Sequence, residues 1–478
     1  MGSEKENVNE SEKAAPETFA DEATVNQTVQ PNSSSVGNAP PATKESQSSI
    51  WRYFGPGFLV AAAFIGPGTV NTAIKAGGNY GFHLLWAIIF AAIATIIFQG
   101  MAARLGLVTK KGLAESLRDY FTNDQFKLAA IVLVFAAIIF GNTAYQAGNL
   151  TGAAKGLFHF LPVVPLQVWL LLSSGLAFAL IWIGTLKLLK NILMALVVVM
   201  SLAFLVAAIN SQPRFPDLMA GCFSFEVMDT AVFFAIIGTT VVPYNLFLHS
   251  STIAEQNADV EVDLSEPANQ SDAQSNDSSP SQGGSTYEPT QLDYAFAGTR
   301  MDNWIAVWIG AVVTGAIVVT AASDYAVNFD EAANSLTGLI GGFGKTLFFV
   351  GLFAAGLTSS ITAPLAAGYV YAGCFGHPTK ANDFKVRQVA GLVVIIGYLL
   401  AAGSNAFGFK PFALIFLAQV ANGIILPVIA IFLLVVMNSK KLLGPYRNSW
   451  QQNLFGGLVV AFLVVLGLYR LGAQFGIF

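Results

Sequence analysis

Apolar residues fall in long blocks along this chain, separated by short polar stretches. Blocks of about 20 apolar residues match the thickness of a bilayer's hydrocarbon core when helical. The pattern predicts eleven spans, near residues 54–80, 84–105, 127–152, 163–183, 188–209, 228–253, 302–322, 345–372, 385–404, 411–437 and 453–475. Two of them are interrupted. Gly66-Pro67-Gly68 sits mid-way in the first, and Gly238 with Pro243 in the sixth. Proline removes a backbone donor and clashes with the preceding turn, and glycine adds backbone entropy. In lipid such a break survives only where it lines a protein-buried or water-filled cavity. One such break alone leaves a proline kink as the lesser alternative. Two, at the start of each five-span half, point to the substrate site of an inverted-repeat transporter.

The polar stretches complete the layout. Residues 1–49 and 255–295 are rich in Ser, Asn, Asp, Glu and Pro, and predict a disordered N-terminal tail and a flexible acidic loop. Between them lie two transporter halves, 50–254 and 296–478. Seven basic residues (Arg104, Lys110, Lys111, Arg118, Lys127, Lys187 and Lys190) fall on the N-terminal side of the membrane, with several more in later loops. Only Lys75, Lys155, Arg214, Lys345, Lys410 and Arg470 fall opposite. This bias predicts a cytoplasmic N-terminus and, after an odd number of spans, an extracytoplasmic C-terminus.

Composition narrows the class. Of 478 residues, 54% are hydrophobic and 11% charged, which excludes a soluble domain. The acids cluster in the polar segments, so the net charge of −4 carries no nucleic-acid signal. Cys222 and Cys374 fit no metal or redox spacing. The polar, acidic N-terminus lacks the basic-then-apolar pattern of a signal peptide. No nucleophile–base pair stands in the spans, so an enzyme is not expected. No cofactor and no protein partner are implied; the partners are the bilayer and a small inorganic ion.

The motifs themselves are familiar. GPGFLVAAAFIGPGTV, AGGNYGFHLLW and MAARLGLVTKKGLAESLR resemble the first two spans of NRAMP divalent-metal transporters. VVPYNLFLHSS resembles that family's sixth-span motif, and GLFAAGLTSSITAPLAAG its eighth span. The resemblance covers about residues 50–470. It implies an all-α membrane protein with a LeuT-like inverted repeat of five plus five helices, helices 1 and 6 broken, and an eleventh appended. It also implies a bacterial-type inner membrane location.

The family's ligands do not carry over. Its Asp-Pro-Gly-Asn stands here as Gly66-Pro67-Gly68-Thr69, and its Met-Pro-His-Asn as Val242-Pro243-Tyr244-Asn245. The alanine whose carbonyl faces the metal corresponds to Thr239. The third span has no carboxylate, with Tyr145 near the expected position. Transition metals want imidazole, thiolate, thioether or carboxylate ligands, and hard cations usually at least one carboxylate. Neutral dipoles do not offset the desolvation of a bare divalent cation.

Broken helices instead present half-helix N-termini, which favour anions. The expected substrate-binding set is Gly66, Gly68, Thr69, Thr239, Thr240, Tyr244, Asn245 and Gln419. Together these predict a secondary transporter of a small inorganic anion, with bicarbonate favoured for its mixed donor and acceptor oxygens. A divalent-cation transporter for Mg²⁺ or Mn²⁺ is the alternative, and a non-transporting membrane sensor a second. Moving an anion into a negative interior costs about 2.3 kcal/mol per charge per 100 mV, so a coupling ion is expected. Thr358, Ser359 and Ser360 on the eighth span resemble the hydroxyls that hold Na⁺ in the LeuT class, although hydroxyls also cement helix packing. Lys75 either attracts anions or snorkels. His249 is either a proton relay or a bonded helix-end residue. Asn142, Tyr145, Gln146 and Asn149 line a path or glue the bundle.

Overall fold

The computed structural model describes residues 50–265 and 290–474, apart from 54, 228, 324, 405 and 407. The predicted tail and most of the predicted acidic loop lie outside the described residues. Among those described, every regular element is helical. A 3₁₀ turn at Ile50–Tyr53 leads into α1 (Pro56–Phe64) and α2 (Pro67–Tyr80), followed by α3 (Leu85–Thr109), α4 (Leu113–Tyr120) and α5 (Asp124–Phe160). Next come α6 (Leu166–Ile183), α7 (Leu186–Asn210), α8 (Phe215–Cys222), α9 (Thr230–Thr240) and α10 (Pro243–Gln256). The second half holds α11 (Gln291–Ser323), α12 (Phe329–Ile340), α13 (Gly342–Phe375), α14 (Phe384–Ala402) and α15 (Pro411–Met437). A short α16 (Lys440–Leu443) and the final α17 (Trp450–Gln474) complete it.

Ten helical segments are long and apolar enough to cross a membrane, with α9 and α10 together forming one of them, and the pair α1 and α2 makes an eleventh. The span count therefore agrees with the hydropathy pattern. The two breaks fall where glycine and proline placed them. Ile65 (φ −86°, ψ 69°) and Gly66 (φ −106°, ψ 178°) leave the helical region, and Pro67 starts α2 at its first position, where a missing N–H is harmless. The two half-helices bend by 55°. Val241 and Val242 make the second break, and Pro243 starts α10.

Burial separates the bundle's interior from its lipid face. In an 18-residue apolar stretch of α9–α10, 94% of the residues are buried, against 28% in α6 and 22% in the Trp450–Tyr469 part of α17. In lipid the apolar effect does not drive helices together, so close approach of small residues does. The long α13 packs along α5, α7 and α14, and α9 lies against α15. The nine-residue α1 is enclosed by α7, α10, α11 and α13. Both cysteines are free thiols.

Candidate substrate site

Both breaks open onto one small cavity. Its wall includes Phe64, Gly66, Gly68 and Thr69 from the first break, and Thr239, Val242 and Tyr244 from the second. Tyr145 and Asn149 of α5 and Ser359 of α13 close it. The cavity is ≈ 10 Å³, room for about one water-sized guest. A four-heavy-atom oxyanion requires the walls to part.

The hydroxyls share a direction. Thr69 Oγ1 donates to the Phe64 carbonyl and lies 2.6 Å from Thr239 Oγ1. Tyr244 OH donates to the Ala63 carbonyl at 3.0 Å. Ser359 Oγ lies 3.3 Å from both the Ala62 and Ala63 carbonyls. The last carbonyls of α1, its partial negative end, are thus faced by hydroxyls from three other elements. The first N–H groups of α2 and α10 have no carbonyl within their own helices. Asn149, 1% exposed, has an amide nitrogen with no partner. Tyr145 OH is 3.3 Å from the Gly238 carbonyl and accepts from Asn422 Nδ2 at 3.2 Å.

Gly66 is small for a steric reason. A Cβ there would collide with Ser359 Oγ and lie 3.1 Å from Ser359 Cβ. The position at which NRAMP motifs carry aspartate is therefore occupied by the α13 serine. Gly68 is equally confined, since its Cβ would meet Gln419 Nε2 at 2.6 Å and Ile415 Cδ1 at 2.8 Å.

Five of the eight expected substrate residues line the cavity: Gly66, Gly68, Thr69, Thr239 and Tyr244. Three do not. Thr240 donates to Ile236 of its own helix at 2.9 Å. Asn245 is fully buried with neither amide atom partnered. Gln419 stands one layer behind Gly68, accepting from Thr72 at 2.7 Å. Of the expected coupling residues, Ser359 lines the same cavity. Thr358 donates to Ala355 at 3.0 Å, and the Ser360 hydroxyl has no partner. Lys75 Nζ stands 4.1 Å from the centre of the Phe416 ring. His249 Nδ1 lies 2.7 Å from Gln99 Oε1.

The binding spans carry no acid in sequence, but one lies beside them in the fold. Asp302 of α11 is fully buried, and its Oδ2 accepts from the Gly57 N–H at 2.5 Å. It serves as the side-chain cap that α1 lacks, since its own N-cap is Gly55. Lys190 of α7 interacts with it electrostatically. The signal in the sequence was a lone carboxylate at the start of an apolar run. Asn149, noted only as part of a polar face, is a wall of the cavity.

The described residues hold no group of three or more His, Cys, Asp or Glu side chains placed to bind a metal. The cavity's oxygens and nitrogens are hydroxyl, amide and backbone groups, without charge.

Comparison with known proteins places this architecture. Residues 57–473 match the family model described as natural resistance-associated macrophage protein-like. The chain is 27% identical over 437 residues to the divalent metal cation transporter MntH of Aeromonas hydrophila, covering 88% of this chain and 95% of that one. It is 27% identical over 444 residues to the metal transporter Nramp3 of Oryza sativa, covering 90% and 76%. In structure it resembles the Eremococcus coleocola manganese transporter, with TM-score 0.69, 22% identity and coverage of 91% and 89%. It also resembles the nucleobase-cation-symport transporter MHP1, with TM-score 0.56, 13% identity and coverage of 88% and 91%. The chain thus belongs to the natural resistance-associated macrophage protein (NRAMP) family and is an integral membrane transporter of that type, with a LeuT-like helical fold.

Proposed function

We propose that this transporter carries a small inorganic anion, bicarbonate before others, by alternating access around the cavity between the two helix breaks. One observation carries the reading: the cavity wall has no carboxylate, imidazole, thiolate or thioether, only uncharged hydroxyl, amide and backbone groups. Helix N-termini favour negative guests, and the hydroxyls of Thr69 and Tyr244 already face the opposing carbonyls of α1. Bicarbonate brings both an O–H donor and acceptor oxygens. It suits a wall that mixes donors such as Asn149 with carbonyls such as Ala63, whereas chloride uses the donors alone.

Na⁺ is the proposed coupling ion. Contacts of 3.3 Å from Ser359 Oγ to two carbonyls are long for hydroxyl hydrogen bonds. Three oxygens grouped this way suit a small hard cation. The transporter sits in a bacterial-type inner membrane with its N-terminus cytoplasmic, in keeping with the distribution of basic residues.

The second reading is divalent-metal transport, favoured by one relative named as a divalent metal cation transporter and another named as a metal transporter. Uptake into liposomes separates the two. Labelled bicarbonate entry driven by an inward Na⁺ gradient supports the anion reading. Micromolar Mn²⁺ or Mg²⁺ entry, lost on Thr69→Ala and with no bicarbonate flux, supports the metal reading.

A further inference from the structure

A second pocket, ≈ 430 Å³, lies at the end of the bundle where α1 and α7 begin. Arg52, Lys187 and Lys190 line it, with Thr185, the N-cap of α7. Its one lining carboxylate, Glu255, already accepts from Tyr369 OH at 2.6 Å and the Ala381 N–H at 2.8 Å. Arg52 also pairs with Asp259. Lys187 stands there at the N-terminus of a long helix, beside Arg52 and Lys190, which also face Asp259 and Asp302; a basic pocket at a helix N-terminus is a recurrent way to hold a phosphate.

Along the same seam runs an apolar groove of ≈ 540 Å³. Phe58 of α1, Val198 and Leu202 of α7, and Trp304, Ile305 and Trp308 of α11 line it. Several of these face outward: Leu202 is 58% exposed and Trp304 49%. α7 lines both the pocket and the groove, and the groove's other two helices approach it at Lys190. Lys190 and Val197 are two turns apart on one face of α7, about 10 Å along its axis. On α11 the groove starts two residues past Asp302, which interacts with Lys190. On α1, Phe58 is one turn past Gly55, which touches the Lys190 stem.

We propose that this seam is a binding site for one anionic phospholipid. The phosphate sits in the basic pocket, against Lys187, Lys190, Arg52 and the α7 N-terminus. An acyl chain lies in the groove between α7 and α11. Charge complementarity selects the headgroup, and continuity with the groove selects a lipid over a soluble phosphate. Because α1 forms one wall of the groove, the lipid rests on the half-helix whose other end closes the substrate cavity.

The test uses the full chain in nanodiscs of mixed phosphatidylglycerol and phosphatidylcholine, released for native mass spectrometry. The wild type retains one phosphatidylglycerol in preference to phosphatidylcholine. Lys187→Gln lowers that retention about five-fold, the effect of one lysine near a phosphate. Leu202→Trp fills the groove and lowers it without touching the basic pocket. Millimolar glycerol phosphate leaves retention unchanged. Equal retention of both lipids, retention indifferent to both substitutions, or displacement by glycerol phosphate alone would each overturn the proposal.

Discussion

Gly66→Asp restores the carboxylate that NRAMP motifs carry at this position, and its effect divides into two parts. The steric part is shared by any side chain, because every Cβ at 66 must push Ser359 aside. Overpacking of this kind costs about 1–3 kcal/mol. The electrostatic part belongs to aspartate alone. In a cavity that holds about one water-sized guest, the carboxylate stands about 4 Å from a bound anion. At an effective dielectric constant of about 20 that repulsion is about 4 kcal/mol. Gly66→Asn has the same shape without the charge, so the Asp/Asn comparison isolates the electrostatic part. Bicarbonate kcat/KM should be about a thousand-fold lower for Asp than for Asn, at 1.36 kcal/mol per decade. The assay is initial uptake into liposomes, with each variant's incorporation checked by thermal unfolding. Equal bicarbonate kcat/KM for the two variants would refute the argument that the site is tuned by charge.

Three further outcomes are expected. Ser359→Ala removes one of the three oxygens proposed for Na⁺, and should raise the Na⁺ concentration giving half-maximal uptake several-fold; an unchanged Na⁺ dependence would place coupling elsewhere. Asp302→Ala removes the cap on α1 and should lower stability by about 1–2 kcal/mol, read as a lower Tm in detergent. Asp302→Asn keeps an acceptor for the Gly57 N–H and should lose less, so equal losses would argue against a capping role. Lys110, in the loop after α3, donates to the Asn257 carbonyl, and burial pulls its pKa down to about 8 against a smaller upward pull from Asp259. A lysine whose folded pKa lies below its unfolded value penalises folding while both states are charged, and the penalty fades as pH rises from about 8 toward 10.5. The wild type should gain stability relative to Lys110→Gln across that window; parallel Tm curves would contradict it.

The sequence made the skeleton readable because its two breaks are written in residues that cannot continue a helix. Gly66-Pro67-Gly68 and Pro243 placed the cavity, and the hydropathy blocks placed the spans. Local pattern could not say which face of a helix meets which neighbour. Thr240 and Asn245 look like binding residues beside Thr239 and Tyr244, yet a shift of one position turns a side chain about 100° around its helix. Ser359 was readable as a polar residue on the eighth span. Its packing against Gly66 was not, because that contact joins residues far apart in the chain. Asp302 reaches Gly57 across a comparable separation, and nothing near either residue announces the other. The missing metal ligands, by contrast, were fully legible, since they are a matter of residue type rather than geometry.

The central claim is that a cavity between bare half-helix ends, without its family's charged and soft ligands, selects a negative guest. Isothermal titration of the purified transporter tests it most directly, with bicarbonate and Mn²⁺ titrated separately, each with and without Na⁺. Saturable bicarbonate binding that strengthens with Na⁺, weakens on Gly66→Asp and has no Mn²⁺ counterpart is the expected result. Tight Mn²⁺ binding that Thr69→Ala abolishes, with no heat from bicarbonate, would contradict it.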